Sequence, residues 1–527
     1  MKRMLPLVAL VPALWFYWQN RDIPYFANFQ DDAVYVTTAK ALATGQGYRL
    51  TFLPGEPFQT KYPPLYPLVL AAVWRVNPDF PNNLGTMVAW NLVPLVALVL
   101  GLRRLYLKFG FSERGAGLLT LAIGCVPAYI YLSASVMTEC TFFALCIWTL
   151  VLLEEDTTGW AAAAGVLAGL AFMTRGAGAP LLLSAPVIFA LRRRFRPALA
   201  FLAFAAPLPI AWQMWAALHK STGITDWVSR FYLDYAAMER LTVGLDNLSY
   251  VIWEDADSIL THIGEIFVFN LGHGSALGHH VARLIGVAAL AGCVRLALRS
   301  RRWHYAGFGV AFLAMMMVWH YPPDQRLFSP LTPLLVAGLW TELYNLWTVA
   351  RQTYARGRPG DRPVAVVFGL ILASFGVWVI FSTAEAVLVD LPAMAQASRI
   401  ETARLRTTFA QVAAMTPKDA TILADGDVLL HLYTGRRSYR TIVPPRLFYP
   451  YRLELVRNAF AALPDADARP WNFLLVSNND WRHTMGGEDR DLVRKQIAAR
   501  PDLTPIWRNS LDVLYARRPF RAVAALP

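Results

Sequence analysis

Long apolar runs constrain the fold of this chain more than any other feature. A helix needs ~20 consecutive apolar residues to cross a bilayer, where no water can satisfy an open backbone. Only 16% of the 527 residues are charged, whereas soluble domains carry roughly 25% charged residues. The sequence therefore predicts a polytopic α-helical membrane protein of about eleven spans. The runs lie near residues 4–20, 84–106, 115–133, 137–153, 160–174, 177–191, 197–217, 281–298, 303–320, 328–348 and 363–386.

Basic residues set the predicted orientation of these spans. Lys and Arg concentrate in the cytoplasmic loops of membrane proteins. With the N-terminus inside, the basic clusters near residues 2–3, 103–114, 192–196, 295–302 and 351–362 all fall on the cytoplasmic side. The loops 19–83 and 218–280, and the chain after about residue 387, then face the outside. The net charge of +13 is explained by this topology and does not indicate nucleic acid binding.

The chain turns polar after residue 390. The stretches TILADGDVLLHLYTG and WNFLLVSNND are typical of strands that end in turns, and DLVRKQIAAR is typical of a helix. We therefore predict a transmembrane catalytic domain over 1–390, with its outer loops at 19–83 and 218–280. A small extracytoplasmic α/β domain is predicted over 391–527.

Two adjacent carboxylates, Asp31 and Asp32, follow the first predicted span in the stretch FQDDAVYV. The residues from Asp31 onward suit a short interfacial helix, whose dipole stabilises negative charge at its N-terminus. One interpretation is that an aspartate only caps this helix. The other is a general base beside a membrane-level cavity, which would take the proton of an acceptor hydroxyl.

Lys61 precedes a rigid turn in the stretch TKYPPLYPLVLAA. Pro63 and Pro64 restrict the backbone there, so the turn holds Lys61 and Tyr62 in place. One interpretation is a helix start with a lysine that snorkels toward water. The other is a fixed cation that faces the outer cavity and suits a phosphate.

Three further charged residues lie at the outer ends of predicted spans. Glu139 begins a span, Arg175 lies between two short apolar segments, and Arg326 directly precedes a span. Charged groups at membrane depth are costly unless they are paired or line a polar cavity. On the predicted topology these residues share one membrane face with Asp31 and Lys61, which favours a single polar cavity.

The outer loop 218–280 contains histidines and carboxylates, among them His262 and Glu265. These residue types bind divalent metals, so the pair is a candidate metal site. Their spacing matches no compact metal motif, and a Gly-rich loop without metal is the alternative. No other cofactor is predicted, because the sequence shows no glycine-rich nucleotide-binding loop.

The order of these motifs resembles the GT-C glycosyltransferases. The first motif is Asp-Asp, with Tyr35 four residues after Asp31. The motifs that follow it in order are Lys-Tyr-Pro-Pro-Leu-Tyr-Pro, Thr-Glu at a span start, Thr-Arg-Gly between spans and Gln-Arg-Leu-Phe-Ser-Pro-Leu-Thr-Pro. The sequence is most similar to the bacterial branch related to protein O-mannosyltransferases and lipid A aminoarabinose transferases. This resemblance covers roughly residues 1–390.

The resemblance implies an inverting glycosyltransferase at the outer face of the bacterial inner membrane. Its donor would be a hexosyl or pentosyl polyprenyl phosphate, and its acceptor a protein, a lipid or a polysaccharide. Asp31 and Asp32 match the acidic catalytic positions, and Lys61 matches a lysine near the carrier or acceptor phosphate. In the aminoarabinose branch, an acidic residue implicated in metal binding precedes that lysine. In this sequence the residue before Lys61 is Thr60. The predicted substrate- and phosphate-binding residues are Lys61, Tyr62, Tyr35, Glu139, Arg175 and Arg326.

Other membrane functions also need a polar cavity among many spans. A transporter or flippase of lipid-linked sugars predicts charged or broken helices near the midplane and paired repeats. This chain shows no internal repeat, and its candidate residues gather at one face. A polysaccharide polymerase or ligase would share the lipid-linked substrate but does not predict the Asp-Asp and Lys-Tyr-Pro-Pro order.

Overall fold

Helices make up most of the molecule, and a small sheet follows them. The computed structural model describes residues 5–155, 157–221, 227–234, 236, 243, 245–357, 360–441, 449, 471–477, 480 and 487–518. The first helices are α1 Val11–Gln19, α2 Asp31–Ala43, α3 Leu65–Val76, α4 Leu84–Ala89, α5 Leu92–Lys108, α6 Glu113–Gly124, α7 Pro127–Ser133, α8 Glu139–Leu153, α9 Thr158–Thr174, α10 Ala179–Leu191, α11 Phe195–Ala205, α12 Pro207–Leu218 and α13 Trp227–Leu233. Those that follow are α14 Leu248–Glu265, α15 Leu271–Gly274, α16 Ala276–Ser300, α17 Trp303–Met316, α18 Thr332–Arg356, α19 Asp361–Glu385, α20 Leu391–Met415, α21 Asp427–Thr434 and α22 Gly487–Ala498.

Each predicted span coincides with a helix or with consecutive helices. Among the described residues, three helices are long and apolar enough to cross a membrane: Leu84–Lys108, Ala276–Ser300 and Asp361–Met415. The bent pairs α6 with α7 and α11 with α12 raise this number to five. Shorter apolar helices, such as α8 and α9, occupy other predicted spans. The chain is therefore a helical membrane protein, and the count of eleven spans stays a prediction.

Small residues let the membrane helices approach closely. At the crossing of α16 and α18, a Cβ atom on Gly292 would lie 2.0 Å from the carbonyl oxygen of Gly338. A larger residue at either position would separate the two backbones. Close packing of this kind is a main source of helix association in membranes, because lipid tails are as apolar as the side chains.

The C-terminal sheet has five strands in the order β2-β1-β3-β5-β4. The strands are β1 Thr421–Leu423, β2 Arg437–Tyr439, β3 Phe473–Ser477, β4 Leu503–Arg508 and β5 Asp512–Arg517. β1 pairs in parallel with β2 and β3, whereas β5 pairs antiparallel with β3 and β4. The predicted α/β character of this region is thus present, with the helix α22 at the predicted DLVRKQIAAR stretch.

The stretch TILADGDVLLHLYTG forms a strand and then a helix, although the sequence predicted strand alone. Asp427 lies in the first turn of α21, and Gly435 ends the helix with a φ of 71°. Such a short apolar run fits both a buried strand and a buried helix, so its periodicity cannot separate them. The acidic first turn and the terminal glycine are the signals that favour the helix.

The C-terminal region is continuous with the membrane domain. α19 and α20 form one helix through a π-helical turn at Ala386–Asp390, where the predicted domain boundary falls. Residues of the outer loop 19–83 and of the sheet also share one hydrophobic core, which includes Phe52 and Ile422. The backbone amide of Ser438 donates to the carbonyl of Phe52 at 2.8 Å. The segment 19–83 therefore packs against the C-terminal sheet.

Candidate active site

The candidate residues come from the ends of helices that meet at one place. Asp31 is the first residue of α2, and Glu139 is the first residue of α8. Arg175 directly follows α9. Tyr62 and Arg326 lie in the irregular segments before α3 and α18. Asp31, Glu139 and Arg175 are thus placed by the ends of three different helices.

Two arginines and two carboxylates form an ion-pair cluster. Arg326 Nη2 lies 2.7 Å from Asp31 Oδ2, and Arg326 Nε lies 2.5 Å from Glu139 Oε1. Arg175 Nη1 also lies 2.5 Å from Glu139 Oε1. The Glu139 side chain is 0% exposed, whereas that of Asp31 is 25% exposed. The cluster is therefore closed at Glu139 and most accessible at Asp31.

Asp31 also accepts a hydrogen bond from Tyr62. The Tyr62 hydroxyl lies 2.7 Å from Asp31 Oδ1. Burial raises the pKa of Asp31, but the positive charges of Arg326 and Lys61 outweigh it, so the pKa lies below its ordinary value. Tyr35 packs its ring edge against the Tyr62 ring, with the ring centroids 5.2 Å apart. Asp31 is thus ionised at neutral pH and held by a packed aromatic pair.

Asp32 points into the preceding turn. Its two carboxylate oxygens accept from the backbone amides of Ala27 and Ala33, each at 2.8 Å. Burial raises the pKa of Asp32 to about 7, although these two amides partly offset the shift. The N-cap of α2 is Gln30, which makes no side-chain capping bond. The interpretation of an aspartate as the N-cap is therefore wrong, and Asp32 instead ties down the turn that ends at Asp31.

Lys61 is buried beside this cluster. Its Nζ donates to the carbonyl oxygen of Phe231 at 2.7 Å. The Nζ atom lies 4.3 Å from the Phe231 ring centroid and 5.1 Å from that of Tyr62. Burial lowers the pKa of Lys61 to about 8, and the charge of Asp31 partly opposes this. With a residue exposure of 8%, the lysine does not snorkel toward water.

The candidate metal pair lies in α14. His262 Nδ1 lies 2.8 Å from the carbonyl oxygen of Ser258, and Glu265 Oε1 accepts from the backbone amide of Gly272 at 2.9 Å. His262 Nε2 and Glu265 Oε2 are 3.8 Å apart. Within the described ranges, no group of three His, Cys, Asp or Glu side chains could hold a metal ion. The metal site at His262 and Glu265 therefore stays a prediction.

Several residues around the cluster were not among the sequence candidates. Arg440 Nη1 donates to the side-chain oxygen of Gln30, and the Gln30 amide nitrogen donates to the Tyr232 hydroxyl. The Tyr232 hydroxyl lies 2.7 Å from Asp427 Oδ2. These residues are far apart in sequence and belong to no motif, so the only signal was the position of Gln30 beside Asp31.

Comparisons with known proteins agree with this architecture. The chain matches the crystal structure of ArnT from Cupriavidus metallidurans bound to undecaprenyl phosphate, with a TM-score of 0.52 and 14% identity over 97% of each chain. The structure of that protein in the apo state matches with a TM-score of 0.46 and 13% identity over 92% of this chain and 93% of the other. No family model and no curated protein sequence matches.

The chain has the fold of ArnT. This likeness rests on the bound structure, whose match covers almost the whole of both chains. At the level of the fold, this likeness agrees with the resemblance to lipid A aminoarabinose transferases that the motif order predicts. The likeness concerns the fold and not the roles of individual residues.

Proposed function

We propose that this protein is an inverting glycosyltransferase that moves a sugar from a polyprenyl-phosphate carrier to an acceptor at the outer face of the bacterial inner membrane. The observation that carries the proposal is the position of Asp31, an ionised and partly accessible carboxylate between the cations Arg326 and Lys61. The shared fold supports the membrane setting, since the neighbour of the same fold was crystallised with undecaprenyl phosphate.

Asp31 is the proposed general base. Its lowered pKa keeps it ionised at neutral pH, and each carboxylate oxygen has a second lone pair beyond those used by Tyr62 and Arg326. An acceptor hydroxyl that reaches this carboxylate transfers its proton to Asp31 as its oxygen attacks the anomeric carbon of the sugar. A single displacement of this kind inverts the configuration at that carbon.

Lys61 and Arg326 are the proposed phosphate-binding cations. As the acceptor oxygen bonds to the anomeric carbon, the bond from that carbon to the phosphate oxygen breaks. Its electron pair leaves with the carrier phosphate, which gains negative charge. Fixed cations stabilise such charge strongly in a site that excludes water, because they need no reorganisation. Glu139 and Arg175 hold Arg326 in place for this role.

The sugar and the acceptor are proposed by chemical class. We propose a hexosyl or pentosyl donor and a hydroxyl of a protein, a lipid or a polysaccharide as the acceptor. The N-terminus is cytoplasmic and the C-terminal domain extracytoplasmic in this proposal. No step is assigned to a metal ion, since Thr60 donates to the carbonyl of Leu233 and supplies no carboxylate before Lys61.

Transfer in proteoliposomes tests the proposal. Purified full-length protein is supplied with a panel of radiolabelled polyprenyl-phosphate hexoses and pentoses together with cell-envelope acceptors. We expect the label to leave the carrier and to join an acceptor, with release of the polyprenyl phosphate. Movement of intact labelled carrier across the bilayer without transfer would overturn the proposal and indicate a transporter or flippase.

A further inference from the structure

We propose that Arg440 and Tyr232 are positioning residues through which the C-terminal sheet and the outer loop fix Asp31 and Lys61. This inference rests on the proposed function, because it assigns the two fixed residues as base and phosphate-binding cation. The contacts form two arms that meet at the side chain of Gln30. Neither Arg440 nor Tyr232 itself touches Asp31 or Lys61 in this proposal.

The first arm runs from the sheet to Asp31. Arg440 follows the parallel strand β2, and its Nη2 lies 3.2 Å from Asp425 Oδ1, at the end of the neighbouring strand β1. Its Nη1 donates to Gln30 Oε1. Gln30 has a φ of 64°, a conformation that residues other than glycine adopt only when their surroundings hold them there. Arg440 therefore secures the strained residue that directs Asp31 into the first turn of α2.

The second arm runs from α21, the helix between β1 and β2, to Lys61. The Tyr232 hydroxyl donates to the carboxylate of Asp427, with distances of 2.9 Å and 2.7 Å to its two oxygens. The adjacent residue Phe231 offers its carbonyl oxygen to Lys61 Nζ at 2.7 Å. Two residues after Phe231, the carbonyl of Leu233 accepts from the Thr60 hydroxyl at 2.8 Å. The end of α13 is thus fixed on one side by α21 and holds the Lys61 segment on the other.

Gln30 joins the two arms with a consistent direction of donation. Its amide oxygen accepts from Arg440, and its amide nitrogen donates to Tyr232, which in turn donates to Asp427. Tyr232 and Asp427 are each 1% exposed. A buried network that loses one member leaves the others unsatisfied, so its geometry shifts as a unit. A change at either arm should therefore reach the candidate base or the candidate cation.

A nearby ion pair supplies a matched control. Arg437 Nη2 lies 2.9 Å from Glu56 Oε1 and also links the sheet to the outer loop. Its side chain is 46% exposed, and that of Glu56 is 36% exposed. Exposed pairs contribute little to stability. Arg437→Gln removes one positive charge from the first residue of β2, and Arg440→Gln removes one from the residue that follows this strand. Only Arg440 contacts Gln30.

Kinetics of the full-length chain in proteoliposomes test the inference. We expect Arg440→Gln to lower kcat by about tenfold or more with little change in the donor KM, because small displacements of a reacting group are costly. Tyr232→Phe is expected to raise the donor KM by about tenfold through the Lys61 segment. Arg440→Lys retains a cationic donor and should recover part of kcat. A loss of folded protein would also lower the apparent kcat without changing KM, so kcat is expressed per mole of folded protein. The rise in KM expected for Tyr232→Phe cannot arise from such a loss.

Hydrogen exchange supplies a readout that does not depend on transfer. We expect faster amide exchange in residues 27–36 for Arg440→Gln, and no change there for Arg437→Gln. If Arg440→Gln and Tyr232→Phe match Arg437→Gln in both kinetics and exchange, the inference is overturned. If Asp31→Asn keeps full transfer, the proposed function is wrong instead, and the exchange data still decide whether Arg440 positions this segment.

Discussion

The guanidinium of Arg326 donates to Asp31 over 2.7 Å, although 295 positions separate the two residues. The same guanidinium donates to Glu139, so one cation links the first outer loop to the start of a membrane helix. This contact joins the proposed base to a proposed phosphate-binding group. A change in either residue should consequently affect both proton transfer and departure of the carrier phosphate.

Removal of the buried charge at Glu139 should destabilise the protein. Glu139→Gln removes the carboxylate that pairs with both Arg175 and Arg326, and breaking a buried pair costs about 3–5 kcal/mol. Chemical unfolding in detergent measures this loss. The double variant Glu139→Gln with Arg175→Gln should lose less than the sum of the two single variants, because the second change removes the unbalanced cation.

The control for this prediction is Glu113→Gln. Glu113 pairs with Arg103 at 2.6 Å, but its side chain is 49% exposed. We expect the free energy of unfolding to change by at most about 1 kcal/mol when this surface pair is lost. Equal losses of unfolding free energy for Glu113→Gln and Glu139→Gln would show that the buried cluster contributes no more to stability than a surface ion pair.

The pKa of Lys61 predicts an alkaline limit on activity. Burial lowers this pKa to about 8, so the ammonium that binds the phosphate is present below pH 8 and is lost as the pH rises through that value. We expect kcat/KM for the donor to fall about tenfold for each pH unit above this limit. Measurement of kcat/KM in the alkaline range tests this.

Lys61→Arg distinguishes the lysine from other titrating groups. Arginine stays protonated throughout this range, so the alkaline limb near pH 8 should disappear even if the overall rate is lower. An unchanged limb in Lys61→Arg would assign the titration to another residue and contradict the role of Lys61.

The predicted orientation can be tested with single cysteines at exposed positions. Lys418 lies before β1, and Arg356 ends α18. We expect Lys418→Cys to react with a membrane-impermeant maleimide in intact spheroplasts, and Arg356→Cys to react only after the membrane is opened. The unchanged chain, whose four cysteines are free, gives the background. The reverse labelling pattern would contradict the assignment of the outer face.

The sequence predicts the membrane helices well because hydropathy acts over a whole span. The run predicted at 84–106 corresponds to the helix Leu84–Lys108, and that at 281–298 lies within Ala276–Ser300. Position in the membrane also limits where a charge can lie. The sequence therefore groups Glu139 and Arg326 at one face without any knowledge of their contacts.

The distinction between Asp31 and Asp32 is beyond sequence reasoning. Adjacent residues of a helix point about 100° apart, and either one could face the cavity. The backbone before α2 decides the matter, because its amides at Ala27 and Ala33 capture Asp32. Asp31 is left to face Tyr62 and Arg326.

The contacts that join Gln30 to the C-terminal region also cannot be predicted from the sequence. Gln30 and Arg440 are 410 positions apart, and neither belongs to a periodic pattern that reports burial. Their contact depends on how the outer loop packs against the parallel strands. Such packing is a tertiary property, which local propensity and hydropathy do not encode.

The most direct test of the central claim is single-turnover sugar transfer by Asp31→Asn. Asparagine keeps the size of the side chain, and its single amide oxygen accepts from either Tyr62 or Arg326, but it cannot take a proton. We expect the transfer rate to fall by about 10²–10⁴-fold, while a photoreactive polyprenyl phosphate still labels the variant as well as the wild type. An unchanged transfer rate with unchanged labelling would contradict the role of Asp31 as the base.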